Sequence, residues 1–190
     1  ESLLKRKKKI KWDTPNGIRG DTWTFERIRK TKESGCQMLT VAIESSVQRV
    51  IDKVVKKKLD LKKVIDLMEY CRDANLRLNA FYVIGLPGEK KDDIMQTLTY
   101  ALNSYKKFNV LPNVNLAKAL PGTELYENVV TNQLFENKLE FKPNEIVTED
   151  FDPKWIAEKY AWFRKELYKI RIIKSLKSPK VLINSIEIAI

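Results

Sequence analysis

The apolar positions of this chain change period along its length, and each change marks an element. Met38 to Ile43 is a short apolar run ended by Glu44-Ser45, which predicts a buried strand. Val47, Val50, Ile51, Val54 and Val55 then fall at helical spacing, and Ser45 stands three residues before Gln48, the spacing of a capping box. A second helix carries Leu61, Val64, Ile65, Met68 and Cys71 on one face, and Asn75 sits where a left-handed C-terminal residue is needed. Leu76–Ile84 reads as the next strand, closed by the turn Gly85-Leu86-Pro87-Gly88-Glu89. An amphipathic helix from Asp92 to Phe108 follows, with Ile94, Leu98, Ala101, Leu102 and Tyr105 on its apolar face and Asp92 and Asp93 in its first turn. Val110 to Leu120 predicts a further strand, and Gly122 opens another helix. Upstream, Ile10-Lys11-Trp12 reads as a short strand, Asp13 to Gly20 as its loop, and Thr24 to Ser34 as its helix, closed by Gly35. Glu1–Lys9 reads as the end of a helix.

Strands separated by helices pair in parallel through right-handed crossovers, and such strands are expected to be buried on both faces. The count is about four βα units, too few to close an eight-fold barrel. An unclosed sheet leaves an unpaired strand edge, expected near Met38–Ile43 or Ile10–Trp12, and such edges invite association. Past Asn137 the alternation stops. Asp152-Pro153 is an N-cap with proline at the first helical position. Ile156, Tyr160, Phe163, Leu167 and Ile170 mark one face of the helix that follows, with Trp155, Trp162 and Tyr168 widening it. Ser178-Pro179 breaks it before a last apolar stretch, Val181–Ile190. The chain thus divides into an α/β part, 1–136, and a helical extension, 137–190.

Composition narrows the chemistry. Of 190 residues 43% are hydrophobic and 32% charged, the balance of a globular protein, and no apolar run is long enough to span a bilayer as a helix. Two cysteines, Cys36 and Cys71, make no disulfide framework, and with the Lys-rich, Ile-rich composition they predict a cytoplasmic protein. The absence of histidine speaks against a zinc site or a His-based triad. A formal net charge of +11 attracts polyanions such as nucleic acid, but Lys5–Lys11, Lys53–Lys63 and Arg164–Lys180 fall mostly opposite apolar helix positions, as solvated faces do.

The turn after Ile84 is where the chain offers backbone to a ligand. Gly85 lacks a Cβ that would keep a ligand from the main chain, Pro87 sets φ, and Gly88 permits a φ that other residues resist. Taken alone, the same residues also read as an ordinary strand–helix turn, Glu44 as a helper to an N-cap at Ser45, Pro121-Gly122-Thr123 as a turn opening a helix, and both cysteines as buried thiols.

Taken in order, the motifs resemble the C-terminal half of the radical S-adenosylmethionine (SAM) superfamily core. Trp12 with Asn16-Gly17-Ile18-Arg19, Ser34-Gly35-Cys36, Val41-Ala42-Ile43-Glu44-Ser45, Phe81 to Glu89 and Ala119-Leu120-Pro121-Gly122-Thr123-Glu124-Leu125-Tyr126 match successive strands and their exits. The tail is similar to that of cobalamin-dependent members. The resemblance implies an incomplete (β/α)6 partial TIM-type barrel followed by a helical tail. SAM would lie across the strand ends, with Glu44 and Ser45 at its ribose or amino-acid end. Ile84, Gly85 and Leu86 would offer backbone to the adenine, Pro87, Gly88 and Glu89 would belong to the same cofactor-binding turn, and Ala119, Leu120 and Pro121 would line the other side of the base. Asn16 and Arg19 would stand at the substrate. The family's three-cysteine loop, which holds a 4Fe-4S cluster, has no counterpart here, and Ser46 replaces the glycine of the family's Glu-Ser-Gly.

The resemblance therefore implies part of a SAM pocket in a chain with no radical activity alone, needing an N-terminal half that bears the cysteines, with cobalamin as a further cofactor of the whole. A tRNA-modifying enzyme of the methylthiotransferase kind, which the basic charge would suit, and a degenerate, non-catalytic binding or scaffold module are the rival readings.

Overall fold

The structure, a computed structural model, describes residues 10–135, 142 and 145–177. The readings of Glu1–Lys9 and Val181–Ile190 lie outside the described residues.

Four parallel strands form one sheet in sequential order: β1 Trp12–Asp13, β2 Cys36–Glu44, β3 Arg77–Ile84 and β4 Leu111–Leu116. Between them lie α1 Phe25–Glu33, α2 Leu61–Asp73 and α3 Lys91–Phe108; α4 Glu124–Thr131 and α5 Pro153–Lys177 follow. Sequential order with crossovers of one hand puts α1, α2 and α3 on the same face, so the sheet is a half-barrel; on its other face Val83 packs toward the cluster that includes Val129 of α4. The burial pattern agrees. On β3, Leu78, Ala80, Tyr82 and Ile84 are buried, while Asn79, Phe81 and Val83 are half-buried. The expectation that the strands are covered on both faces is thus corrected for β3. Register sets Thr40, Asn79 and Leu111 in one row of the second face, Ala42, Phe81 and Asn113 in the next, and Val83 beside Asn115.

Of the two places expected for an unpaired edge, that near Ile10–Trp12 is an edge and that at Met38–Ile43 is not: β2 is paired on both sides, and among the described strands β1 and β4 are the edges. β1 is extended past a loop by a parallel bridge between Ile18 and Val41, inside the segment expected to be loop alone.

Local chemistry explains the element ends. Thr24, Asp60 and Thr123 cap α1, α2 and α4 through their side-chain oxygens, and the Asp152 carboxylate accepts the Trp155 N–H at 2.7 Å at the start of α5. Asn75 and Asn109 take left-handed conformations after α2 and α3. The helix expected after Ser45 is instead a π-helical turn, Val50–Val54. Ser45 accepts the Val47 N–H, and Gln48 reaches forward to Asp52 and the Leu59 carbonyl rather than back, so no capping box forms. On α2 the inward position belongs to Leu67, while Ile65 is exposed, because its side chain falls to the rim of the packed stripe. β4 ends at Leu116, short of Leu120, and Leu120 is exposed.

The helix of the extension packs on the sheet's core through its apolar face. Phe151, Ile156, Phe163, Leu167 and Ile170 share one hydrophobic cluster with Tyr82, Ile84, Leu98 and Ala101. Tyr168, expected to widen that face, is exposed. Lys174 fastens the far end of α5, donating to the Tyr105 carbonyl at 2.5 Å and the Asn109 side-chain oxygen at 3.0 Å at the C-terminus of α3.

Candidate functional site

In a parallel sheet the C-terminal strand ends carry the site, because the loops that follow them are free of the βα crossover packing. Three connections meet there: the segment after Glu44, the turn after Ile84 and the exit after Leu116.

The turn after Ile84 is held closed from inside. Pro87 and Gly88 are the central residues of a turn closed by the Glu89 N–H to the Leu86 carbonyl at 3.0 Å, with Gly88 at φ +94°, the pattern of a type II turn. The Glu89 side chain, fully buried, turns back so that Oε2 accepts the Leu86 N–H at 2.8 Å, while Oε1 is buried without a partner. Burial pushes the Glu89 carboxyl up to about 7; the Leu86 and Gly85 backbone and Arg49 pull it down, and Asp93 pushes it further up. Around this acid, Arg49 pairs with Asp93 and donates to the Gly88 carbonyl at 3.1 Å, and Asp93 accepts the Lys90 N–H at 2.8 Å. The turn is therefore rigid before any ligand arrives.

That rigidity decides which backbone groups are open. Both groups of Leu86 are engaged by Glu89, the Ile84 carbonyl accepts the Ala117 N–H at 2.9 Å, and the Gly88 carbonyl is taken by Arg49. The carbonyls of Gly85 and Pro87 have no protein partner among the described residues. Gly85 is buried at φ +86°, and a Cβ there would meet Ile156 of α5 at 3.7 Å, an ordinary contact. The glycine is required by its backbone conformation.

The exit after Leu116 comes up beside this turn. Ala119 is fully buried in a small apolar cluster with Ala117, Val129 and Ile146, and Val83 and Leu86 pack against it. Leu120 and Pro121 are exposed, and Gly122 has open space about it.

The segment after Glu44 is the most strained part of the rim. Glu44 has φ 71°, and Lys56 and Lys58 have φ 58° and 51°. Non-glycine residues in this region cost on the order of 1–3 kcal/mol each. Glu44 bends its carboxylate to Lys57, whose Nζ lies 3.0 Å from Oε1 and donates to the Ala42 carbonyl at 2.6 Å. Ser45 goes the other way. Its hydroxyl is fully buried 3.0 Å from that of Thr97 on α3, which also accepts the Ser46 N–H. The Ser46 hydroxyl is buried without a partner.

Asn16 and Arg19 are exposed. Arg19 pairs with Asp21 at 2.6 Å and donates to the carbonyls of Lys57 at 3.2 Å and Lys58 at 2.6 Å, so it braces the lysine segment. The bond from Arg19 holds the Asp21 carboxyl below the usual carboxylate range. Lys57, Thr97 and Arg49 are the rim residues that sequence reading passed over. Their contacts span 13 to 52 positions of sequence, and no local pattern marks them.

No group of three or more His, Cys, Asp or Glu that could hold a metal occurs among the described residues. The two cysteines of the chain are both buried, and burial pushes both thiols up, Cys71 to about 12. They do not fit a 4Fe-4S cluster, which needs accessible thiolates grouped on one loop. No helix among the described residues is long and apolar enough to cross a membrane.

Comparison with known proteins agrees with this geometry. A cytidylyl-2-hydroxyethylphosphonate methyltransferase of Streptomyces wedmorensis is 33% identical over 98 residues, a match covering 48% of this chain and 18% of the relative. The chain thus matches under a fifth of that relative's length. The family model of the radical SAM superfamily matches residues 2–101, over half of the chain. With its parallel half-barrel and its turn after β3, the chain belongs to the radical SAM superfamily.

Proposed function

We propose that this chain supplies part of a SAM pocket at the C-terminal ends of β2, β3 and β4, and works with a cysteine-bearing half supplied from outside these 190 residues. The observation that carries the reading is the pre-closed turn from Leu86 to Glu89, beside an apolar wall that joins Leu86 to Ala119. An adenine needs acceptors for its exocyclic amine and an apolar surface for its face. The free carbonyls of Gly85 and Pro87 fit the first need, and Leu86 with the exit residues fits the second.

When bound, SAM supplies a 5′-deoxyadenosyl group or a methyl group to the reaction; this chain's part is to hold and orient it. The methyl transfer named for the Streptomyces relative is the reaction class we assign to the complete enzyme. Cobalamin remains part of the reading through the resemblance of the tail. With no histidine in the chain, these residues offer no imidazole to its cobalt.

Titration calorimetry of the 190-residue chain with SAM, joined to amide hydrogen exchange, tests this. A saturable heat with slowed exchange confined to residues 84–89 and 117–121 is expected. Absence of binding by the folded chain, or protection elsewhere, would overturn the reading.

A further inference from the structure

We propose that Phe81, with Asn79, Asn113 and Asn115 around it, is a platform for the neutral nucleobase of a second ligand, set deeper in the half-barrel than the turn after Ile84. The inference rests on the reading of the strand ends as a ligand site.

The platform comes from register. Ala42, Phe81 and Asn113 form one row across β2, β3 and β4, with Thr40, Asn79 and Leu111 in the row before it and Val83 beside Asn115 after it. Side chains along a strand alternate between faces, so all of these stand on the second face of the sheet. Phe81 is half-buried, yet it belongs to neither of the hydrophobic clusters of the fold. Its neighbour on β2 is the small side chain of Ala42, and there the loop after β1 closes in. The Thr14 hydroxyl accepts the Thr40 N–H at 2.8 Å, and a Cβ at Gly17 would meet the Ala42 Cβ at 3.2 Å. The same loop carries Asn16, the residue expected at the substrate. On the other side, Asn113 and Asn115 are exposed on the edge strand β4.

The chemistry of these residues selects the ligand. Asparagine is a poor strand former, and three stand on this one face, Asn79 half-buried and the other two exposed. None of the three has a side-chain hydrogen-bond partner among the described residues, so holding the fold together does not explain them. A carboxamide presents an acceptor and two donors in one plane, the complement of a nucleobase edge. An aromatic ring beside it supplies a stacking surface, which every base can use. No side chain in the three rows is charged, which favours a neutral planar group over a carboxylate, a phosphate or an ammonium. The adenine of SAM is a different occupant, because Phe81 lies roughly 13 Å down the strand from Gly85 and the turn assigned to that base.

Calorimetry of the 190-residue chain with cytidine, uridine, adenosine and guanosine, each with and without saturating SAM, tests this, with SAM alone titrated alongside. At least one nucleoside is expected to bind beside SAM. Phe81→Leu should weaken it by about tenfold to a hundredfold, and the double variant Asn113→Ala/Asn115→Ala by about tenfold, with SAM affinity unchanged in both. SAM bound with no nucleoside beside it would overturn the platform and keep the SAM reading. A nucleoside bound equally by wild type and variants would also overturn the platform. SAM weakened in Phe81→Leu would give the ring to the cofactor and overturn the second ligand. A nucleoside bound through Phe81 by a chain that binds no SAM would keep the platform and overturn the SAM reading, and binding of neither overturns both. Should Phe81→Leu melt early, the exposed pair decides: nucleoside affinity unchanged in Asn113→Ala/Asn115→Ala overturns the platform.

Discussion

Leu86 and Glu89 bind each other twice. The Glu89 N–H donates to the Leu86 carbonyl, and the Glu89 carboxylate accepts the Leu86 N–H, so one residue closes the turn through both its backbone and its side chain. The arrangement leaves the other carboxylate oxygen buried and unpartnered, which favours the neutral acid.

Stability should therefore depend on pH through Glu89. Its folded value of about 7 lies above its ordinary 4.5, so between the two the native state keeps a proton that the unfolded chain has released. Its contribution is fully present below pH 4.5 and is lost as pH rises through about 7, by on the order of 3 kcal/mol. Glu89→Gln keeps the shape and an acceptor for Leu86 and removes the titration. Melting curves at pH 5 and pH 8 should show wild type losing more stability than the variant, and Glu89→Gln the more stable at pH 8. Parallel losses in both proteins would count against a raised carboxyl.

The conformation of Gly85 is expected to matter more than the space around it. Gly85→Ala should cost about 1–3 kcal/mol in urea unfolding, because alanine resists φ +86°. Truncating Ile156, the side chain a Cβ would meet, should not recover that loss. Recovery in the double variant would mean that crowding, not backbone conformation, is the constraint.

Lys174 ties α5 to the end of α3. Lys174→Met removes both hydrogen bonds together with the ammonium that lies over the Tyr105 ring, which should lower stability by about 1–2 kcal/mol. Hydrogen exchange should quicken at the C-terminal turns of α3 and α5. Unchanged exchange there would show that the helix is docked by its apolar face alone.

Both thiols should be slow to react in the folded chain at pH 8. Cys36 and Cys71 are buried with thiol values raised by burial, and both should become reactive in denaturant. Rapid labelling of either in the native protein would contradict the packing of α2 against the sheet.

The periodic parts of the chain were legible without coordinates. The strand–helix alternation, the cap at Asp152-Pro153 and the left-handed Asn75 depend on neighbours within a few residues. The turn after Ile84 was legible as a turn for the same reason, but its motif did not disclose that the Glu89 side chain folds back on Leu86.

Where competing interactions are long-range, the local pattern misled or was silent. Val47 to Val55 has helical spacing, yet the tie from Gln48 to Leu59 and the grip of Arg19 on Lys57 and Lys58 draw the segment into a π-turn. The Ser45 hydroxyl is buried against Thr97, 52 residues away.

By itself, then, the sequence determined the periodicity, the caps and turns, the shortage of cysteines and the family, since each is a matter of residue type and short spacing. Tertiary structure alone decided that Ile156 covers Gly85, that Glu89 is a buried acid, and that Lys57 reaches back to the Ala42 carbonyl and Glu44. Those contacts join elements that meet only after the sheet has assembled, and desolvation, which governs their chemistry, is a property of the assembled fold.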